Sequence, residues 1–150
     1  ALGKSVLRIH NIEFEWAQAT DGAIPSSAPK MDQGVSGEAV WQLTTQTQSA
    51  LVTADDKSLV CSGSMQTYVG YVAPDGSATA DFATQFATHD FDVAPQDFTK
   101  GYLVGVDSLF LAVDQNGTFA SGNVNVAYVM ECTLEAATQS SAVALSLSQQ

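Results

Sequence analysis

The stretch Val124-Asn-Val-Asn-Val-Ala-Tyr-Val-Met-Glu-Cys-Thr-Leu134 decides the fold class. Val124, Val126, Tyr128, Met130, Cys132 and Leu134 alternate with Asn125, Ala127, Val129, Glu131 and Thr133. Period two sustained over about twelve residues is a long β-strand with one apolar face. Such a strand belongs to an antiparallel sheet that rests one face on a core. Upstream, Ser108 to Val113 reads as a second strand, and Asp114-Gln-Asn-Gly117 carries an Asn-Gly turn signal, so the two are expected to pair as a hairpin. Gly122 suits a bulge just before the last strand.

At the other end Leu7 and Ile9 share one phase, and Ile12, Phe14 and Trp16 share the opposite one. The change falls at His10-Asn11. A one-residue slip turns every side chain over, so a bulge or a bend is expected there, with Glu13 and Glu15 facing out. Residues 19–38 hold Gly22, Pro25, Pro29, Gly34 and Gly37 and read as a long irregular loop. Val40 to Thr45 gives a strand with Trp41 and Leu43 in phase, and Leu51-Val52 a short one. Asp55-Asp56-Lys57 and Pro74-Asp75-Gly76 are turns. Leu59 to Ser62, Met65 to Ala73, Phe91 with Val93, and Tyr102 with Val104 and Val106 supply further strands. Ala80, Phe82, Ala83 and Phe86 fit helical spacing, so a short helix is expected within 77–87. The reading is all-β: one antiparallel sandwich or barrel over residues 1–150, with about eight strands and at most one short helix. Phe14, Trp16, Trp41, Leu43, Phe110, Val124, Val126, Tyr128 and Met130 are expected in its core or in a subunit contact.

A chain of 150 residues has the size of one domain and buries roughly 70% of its unfolded surface on folding. Only 14% of it is charged, with 16 acids against 5 bases. The bases Lys4, Arg8, Lys30, Lys57 and Lys100 are scattered singly, which argues against direct nucleic-acid binding and against adhesion to an anionic membrane. No apolar run approaches the ~20 residues of a transmembrane segment. The opening Ala1-Leu-Gly-Lys4 lacks a signal-peptide core and suits a removed initiator Met or leader. Excess acid also suits concentrated salt, where screening shortens to ~3 Å at 1 M.

Each cluster with chemical potential has a plainer reading. His89, Asp90 and Asp92 alternate faces in a strand, so they do not converge on one ion and read as a solvated edge. His10 near Ser5 has no Gly-x-Ser-x-Gly elbow with it. Glu13 with Glu15, and Asp55 with Asp56, have the spacing of paired carboxylates but look like any exposed strand face or turn. Cys61 and Cys132 form no C-x-x-C; a buried free thiol at Cys132 is the first reading, and a disulfide would need adjacent inward-facing strands. Asp114 to Gly117 lacks the acidic last ligand of a calcium loop, because Asn125 stands there. Asn116-Gly117-Thr118 matches a glycosylation acceptor, a pattern common by chance. No enzyme activity is expected, and no catalytic residue, metal, nucleotide or flavin cofactor, leaving only loose calcium at carboxylates open.

The segment Ser108-Leu-Phe-Leu-Ala-Val113, a turn, and Gly122-Asn-Val-Asn-Val-Ala-Tyr-Val-Met-Glu-Cys-Thr-Leu134 resembles the closing strands of single jelly-roll viral capsid (coat) proteins. In that family a final strand of the pattern Gly-x-Val-x-Val-x-Tyr closes the barrel, and here Gly122, Val124, Val126 and Tyr128 fit it. The resemblance covers about 30 residues. It implies a jelly-roll barrel, a structural virion role as capsid or capsid-decoration subunit, and self-association with other virion or assembly proteins. The family often carries a basic N-terminal arm for packaged RNA. Only Lys4 and Arg8 are basic in the first 29 residues here, so the resemblance implies a shell whose genome is wrapped separately, or an accessory protein on its outer face.

Residues 136–150 carry no charged side chain, and Val143, Leu145 and Leu147 alternate with Ala142, Ala144, Ser146 and Ser148. The pattern predicts an uncharged strand over 137–150 acting as an assembly tail, with Val143, Leu145 and Leu147 in the subunit contact, or else an edge strand of its own domain. Competing readings are a carbohydrate- or cell-surface-binding sandwich using Trp16, Trp41, Tyr68, Tyr71 and Tyr102, and an extracellular filament subunit built by strand exchange. The expected location is the virion, or for the competing readings the cell exterior.

Overall fold

The computed structural model describes residues 5–18, 36–72, 82–90, 100–116 and 124–150, with the side chains of 17, 18, 36, 67–72 and 82–90 left aside. Seven strands and one helix form there: β1 Ser5–Gln18, β2 Ser36–Thr44, β3 Leu59–Val72, β4 Phe82–Asp90, β5 Tyr102–Val104, β6 Phe110–Asn116, β7 Val124–Ala136 and α1 Gln139–Ser148. All pairings are antiparallel, in a three-stranded sheet of order β5-β1-β7 and a four-stranded sheet of order β4-β3-β2-β6. In the larger sheet β6 returns to lie outside β2 of the β2-β3-β4 meander, the spatial order of a Greek key.

The two sheets share one core. Ile9, Trp16, Tyr102 and Val104 from the smaller sheet meet Ala39, Trp41, Leu43, Cys61 and Met65 from the larger one. The joint is aromatic: Phe14 of β1 stacks on Trp41 of β2 with ring centroids 3.3 Å apart and planes inclined by 14°. Trp41 stands opposite Gly63 in the β2–β3 register, and a Cβ at Gly63 would come within 2.5–2.7 Å of the indole. Only a residue without a side chain lets the indole lie flat there. Each large apolar side chain buried in this way contributes roughly 1.5–3 kcal/mol.

The phase change at His10 is a β-bulge. Ile9 pairs with Cys132 and Asn11 with Glu131, so His10 is the extra residue. It lets Ile9 on one side and Trp16 on the other both point inward, where they are buried.

Four expectations are corrected. Ser108–Val113 and the last strand do not form a hairpin. β6 pairs with β2 and β7 with β1, so the chain crosses between sheets; the proposed Gly117 turn and Gly122 bulge lie outside the described residues. The helix expected within 77–87 is instead β4 from Phe82 onward, held by the β3 edge. Phe82, Thr84, Phe86 and Thr88 alternate with Ala83, Gln85 and Ala87, a period-two pattern that pairing with β3 selects. Leu51-Val52 is not a strand; the Gln42 carboxamide takes the place of a neighbouring chain, donating to the Val52 carbonyl (2.6 Å) and accepting from its N–H (2.8 Å). The alternating C-terminal segment is helix α1, not a strand. Thr138 caps it by accepting from the Ser141 N–H at 3.2 Å. Ala142, Leu145 and Gln149 recur at helical spacing and turn toward the sandwich. The described residues thus hold seven strands where about eight were expected, because the apolar runs of residues 7–16 and 59–72 are each one long strand.

Candidate functional site

Two places on the molecule bring chemistry or exposed apolar surface together. The first is a cleft of about 540 Å³ at one end of the sandwich, among whose lining residues are Arg8, Asp56, Lys57, Lys100, Tyr102 and Gln149. Three of the chain's five bases meet here. Arg8 donates through Nε and Nη2 to the two carboxylate oxygens of Glu135 on β7, and through Nη1 to the Lys100 carbonyl. The hydrogen bonds and charge of that pair hold Glu135 below the usual carboxylate range and push Arg8 up. Asp56 accepts from the Ser58 hydroxyl (2.6 Å) and N–H (2.8 Å), which, helped by Lys57, lowers its carboxyl as well.

Gln149 closes the same end. Its carboxamide accepts from the Gly105 N–H (2.8 Å) and donates to the Leu103 carbonyl (2.7 Å), as a neighbouring strand would. Thr45 at the end of β2 donates to the Gln149 carbonyl at 2.6 Å. The residue after α1 therefore joins β5 of one sheet to the end of the other. Arg8, Asp56 and Gln149 of the cleft are engaged in fastening the fold, with no nucleophile–base pair among the described residues.

The second place is the pair of edge strands β6 and β7, which meet where the Gln115 carboxamide accepts from the Val124 N–H at 3.2 Å; α1 packs apart from them, against Gly105 beside β5. Phe110, Val113, Tyr128, Val129, Leu134, Val143 and Leu147 are the exposed large hydrophobic residues among those described. All belong to β6, β7 and α1. Leu134 and Val129 are 74% and 72% exposed, against 0–3% for Ile9, Trp41, Leu43 and Met65. Val113, Tyr128 and Leu134 stand in the inward phase of their strands, so the sandwich is open along this side. Of the predicted contact residues, Val143 and Leu147 are exposed one turn apart on α1, whereas Leu145 turns to Gly105 of its own sandwich. Val129 was missed. It stands among Asn125, Ala127, Glu131 and Thr133, and an apolar residue in that polar phase was the available signal.

The remaining candidates do not assemble. His10 is exposed on the bulge with Nε2 2.8 Å from the Thr133 hydroxyl, and Ser5 lies five strand residues away, roughly 16 Å. Glu13 and Glu15 are exposed on β1. His89 and Asp90 end the edge strand β4; their side chains, and Asp92, lie outside the described residues. Among the described residues no His, Cys, Asp and Glu side chains gather into a metal set. Cys61 and Cys132 are free thiols on different sheets. The more deeply buried is Cys61, whose thiol is pushed up to about 12 by burial; Cys132 is half-buried. Trp16, Trp41 and Tyr102 are buried, so they offer no platform to a sugar ring; the side chains of Tyr68 and Tyr71 lie outside the described residues. No described helix is long and apolar enough to cross a membrane. No protein-family model, curated protein or solved structure matches the chain.

Proposed function

We propose that this chain is a structural subunit that works by self-association rather than catalysis, as a capsid or capsid-decoration protein in a virion, with a jelly-roll type barrel. The observation that carries the reading is the placement of the exposed apolar side chains. Among the described residues they fall on β6, β7 and α1, while the described parts of β1, β2, β3 and β5 expose none. Exposed apolar surface on two edge strands and on the terminal helix suits association. Val143 and Leu147 on α1 belong to the contact, and the partners are further copies of the chain and other virion proteins. At −11 per chain, copies repel one another, so the assembly depends on salt or divalent cations to screen that repulsion.

Sedimentation velocity and negative-stain microscopy of the native chain and of a Val143→Asp, Leu147→Asp variant test this. Native protein forming closed shells or oligomers in salt, and the variant staying folded but shifted toward monomer, is the expected result. Native protein that remains monomeric at all concentrations and salt levels overturns the reading. Deleting residues 137–150 is the poorer test, because Leu145 and Gln149 hold the fold itself.

A further inference from the structure

We infer that β7 pairs with β7 of a second copy, antiparallel about a two-fold axis at Met130, joining two three-stranded sheets into one of six. This deepens the self-association reading and rests on it. β7 is the edge of its sheet, thirteen residues long, and among the described residues it pairs only with β1. A strand this long leaves a row of backbone N–H and C=O groups facing outward. Natural edges are usually blunted by charged side chains, Lys above all, by Pro or by a bulge. β7 has neither Lys nor Pro, its charges are Glu131 and the Glu135 already paired to Arg8, and the bulge of this sheet lies on β1, at His10.

Charge and length of overlap together set the register. The strand carries two acids, Glu131 and Glu135, and no base. Side chains keep to their faces only in registers where the numbers of facing residues add to an even sum. With Met130 opposite its own copy, all thirteen residues face a counterpart, and at the start of the strand the Val124 N–H keeps the Gln115 carboxamide of its own chain, 3.2 Å away. Glu131 faces Val129, Glu135 faces Asn125, Thr133 faces Ala127 and Cys132 faces Tyr128. No like charges meet. Moving the axis one residue on, to Glu131, sets Glu131 against Glu131. Moving it to Thr133 sets Glu131 against Glu135. Glu135 is also already neutralised by Arg8 of its own chain. The Met130 register further covers Val129, which is 72% exposed on the otherwise polar outer face, with the stem of the copy's Glu131.

Sedimentation equilibrium on native protein, Val129→Glu, Glu131→Lys and the double variant tests the pairing. Like charges directly opposite one another are destabilising, and this axis creates that clash twice per dimer. Val129→Glu should therefore weaken dimerisation at least about tenfold while circular dichroism stays that of the native fold. Glu131→Lys alone should preserve the dimer. Val129→Glu combined with Glu131→Lys should restore it, since the introduced lysine of one copy then faces the introduced glutamate of the other. A native oligomer indifferent to Val129→Glu overturns the β7 contact but leaves self-association standing. Loss without rescue in the double variant overturns the register. A native monomer at every concentration overturns both. If Val129→Glu does not fold, cross-linking decides instead, in a Cys132→Ser background. Mixed Ala127→Cys and Thr133→Cys chains should give a disulfide-linked heterodimer on oxidation, and its absence overturns the pairing.

Discussion

The β1–β2 joint and the β6–β7 flank are made of the same kinds of residue and behave oppositely. At the joint, Phe14 lies on Trp41, Trp41 lies over Gly63, and Ile9, Leu43 and Met65 are sealed beneath. On the flank, Val113, Tyr128 and Leu134 occupy the same inward phase and remain exposed. The alternating pattern specifies which way a side chain points. Whether anything covers it depends on what lies beside the strand. The inner strands β1, β2 and β3 are covered on their inner faces, as is the edge strand β5, where Tyr102 and Val104 are buried, whereas the edge strands β6 and β7 are covered only in part.

That contrast sets what substitutions should do. Trp41→Ala removes the shared aromatic and should cost about 3–5 kcal/mol, read from urea unfolding. Gln149→Ala strands the Gly105 N–H and the Leu103 carbonyl, and should cost about 1–3 kcal/mol in the same measurement, with faster amide exchange in β5. Gly63→Ala forces the indole off its seat and belongs in a similar range of about 1–3 kcal/mol. Acid should act more gently. Asp56 and Glu135 titrate below their ordinary values in the fold, so the stability they supply is complete above the unfolded carboxylate range. It is lost as the pH falls through their folded values. Urea titrations between pH 5 and 2 should show that limb flattened by Asp56→Asn. At the small end, Leu134→Ser and Leu147→Ser should move folding stability by only about 0.5 kcal/mol or less while weakening assembly. A large loss of stability there would mean that the flank is core after all.

Much of this fold was legible in local pattern. The His10 bulge follows from the change of phase between Ile9 and Ile12, and Trp41 with Leu43 follows from simple alternation. What was illegible is partner choice. The last two strands are joined by a short link with turn residues, yet β1, more than a hundred residues away, pairs with β7 over its whole length. Nothing local encodes that. Helix α1 was missed because Ala-Val-Ala-Leu-Ser-Leu-Ser satisfies period two and helical spacing alike, and the Thr138 cap settles it. On the flank, Val143 and Leu147 were readable as uncharged and apolar, but the exposure of Leu134 was not. It stands in the buried phase of a strand that ends up at an edge.

The pairing of β1 with β7 also fixes an order of events. Ser5 meets Ala136, and Gln18 meets Val124, so the one pairing that runs the length of β1 cannot form until nearly the whole chain is available; the short β5 contact needs the chain only to Val104. The meander of β2, β3 and β4 needs only neighbouring segments. With synthesis at about 5–20 residues per second, β1 waits roughly 10 s for its partner. During that wait its apolar face has only the nascent larger sheet to lie on. Such distant closure slows folding and lengthens exposure to aggregation. The chain's strong negative charge then has a use before folding is complete, because it keeps half-made copies apart until each has found its own last strand.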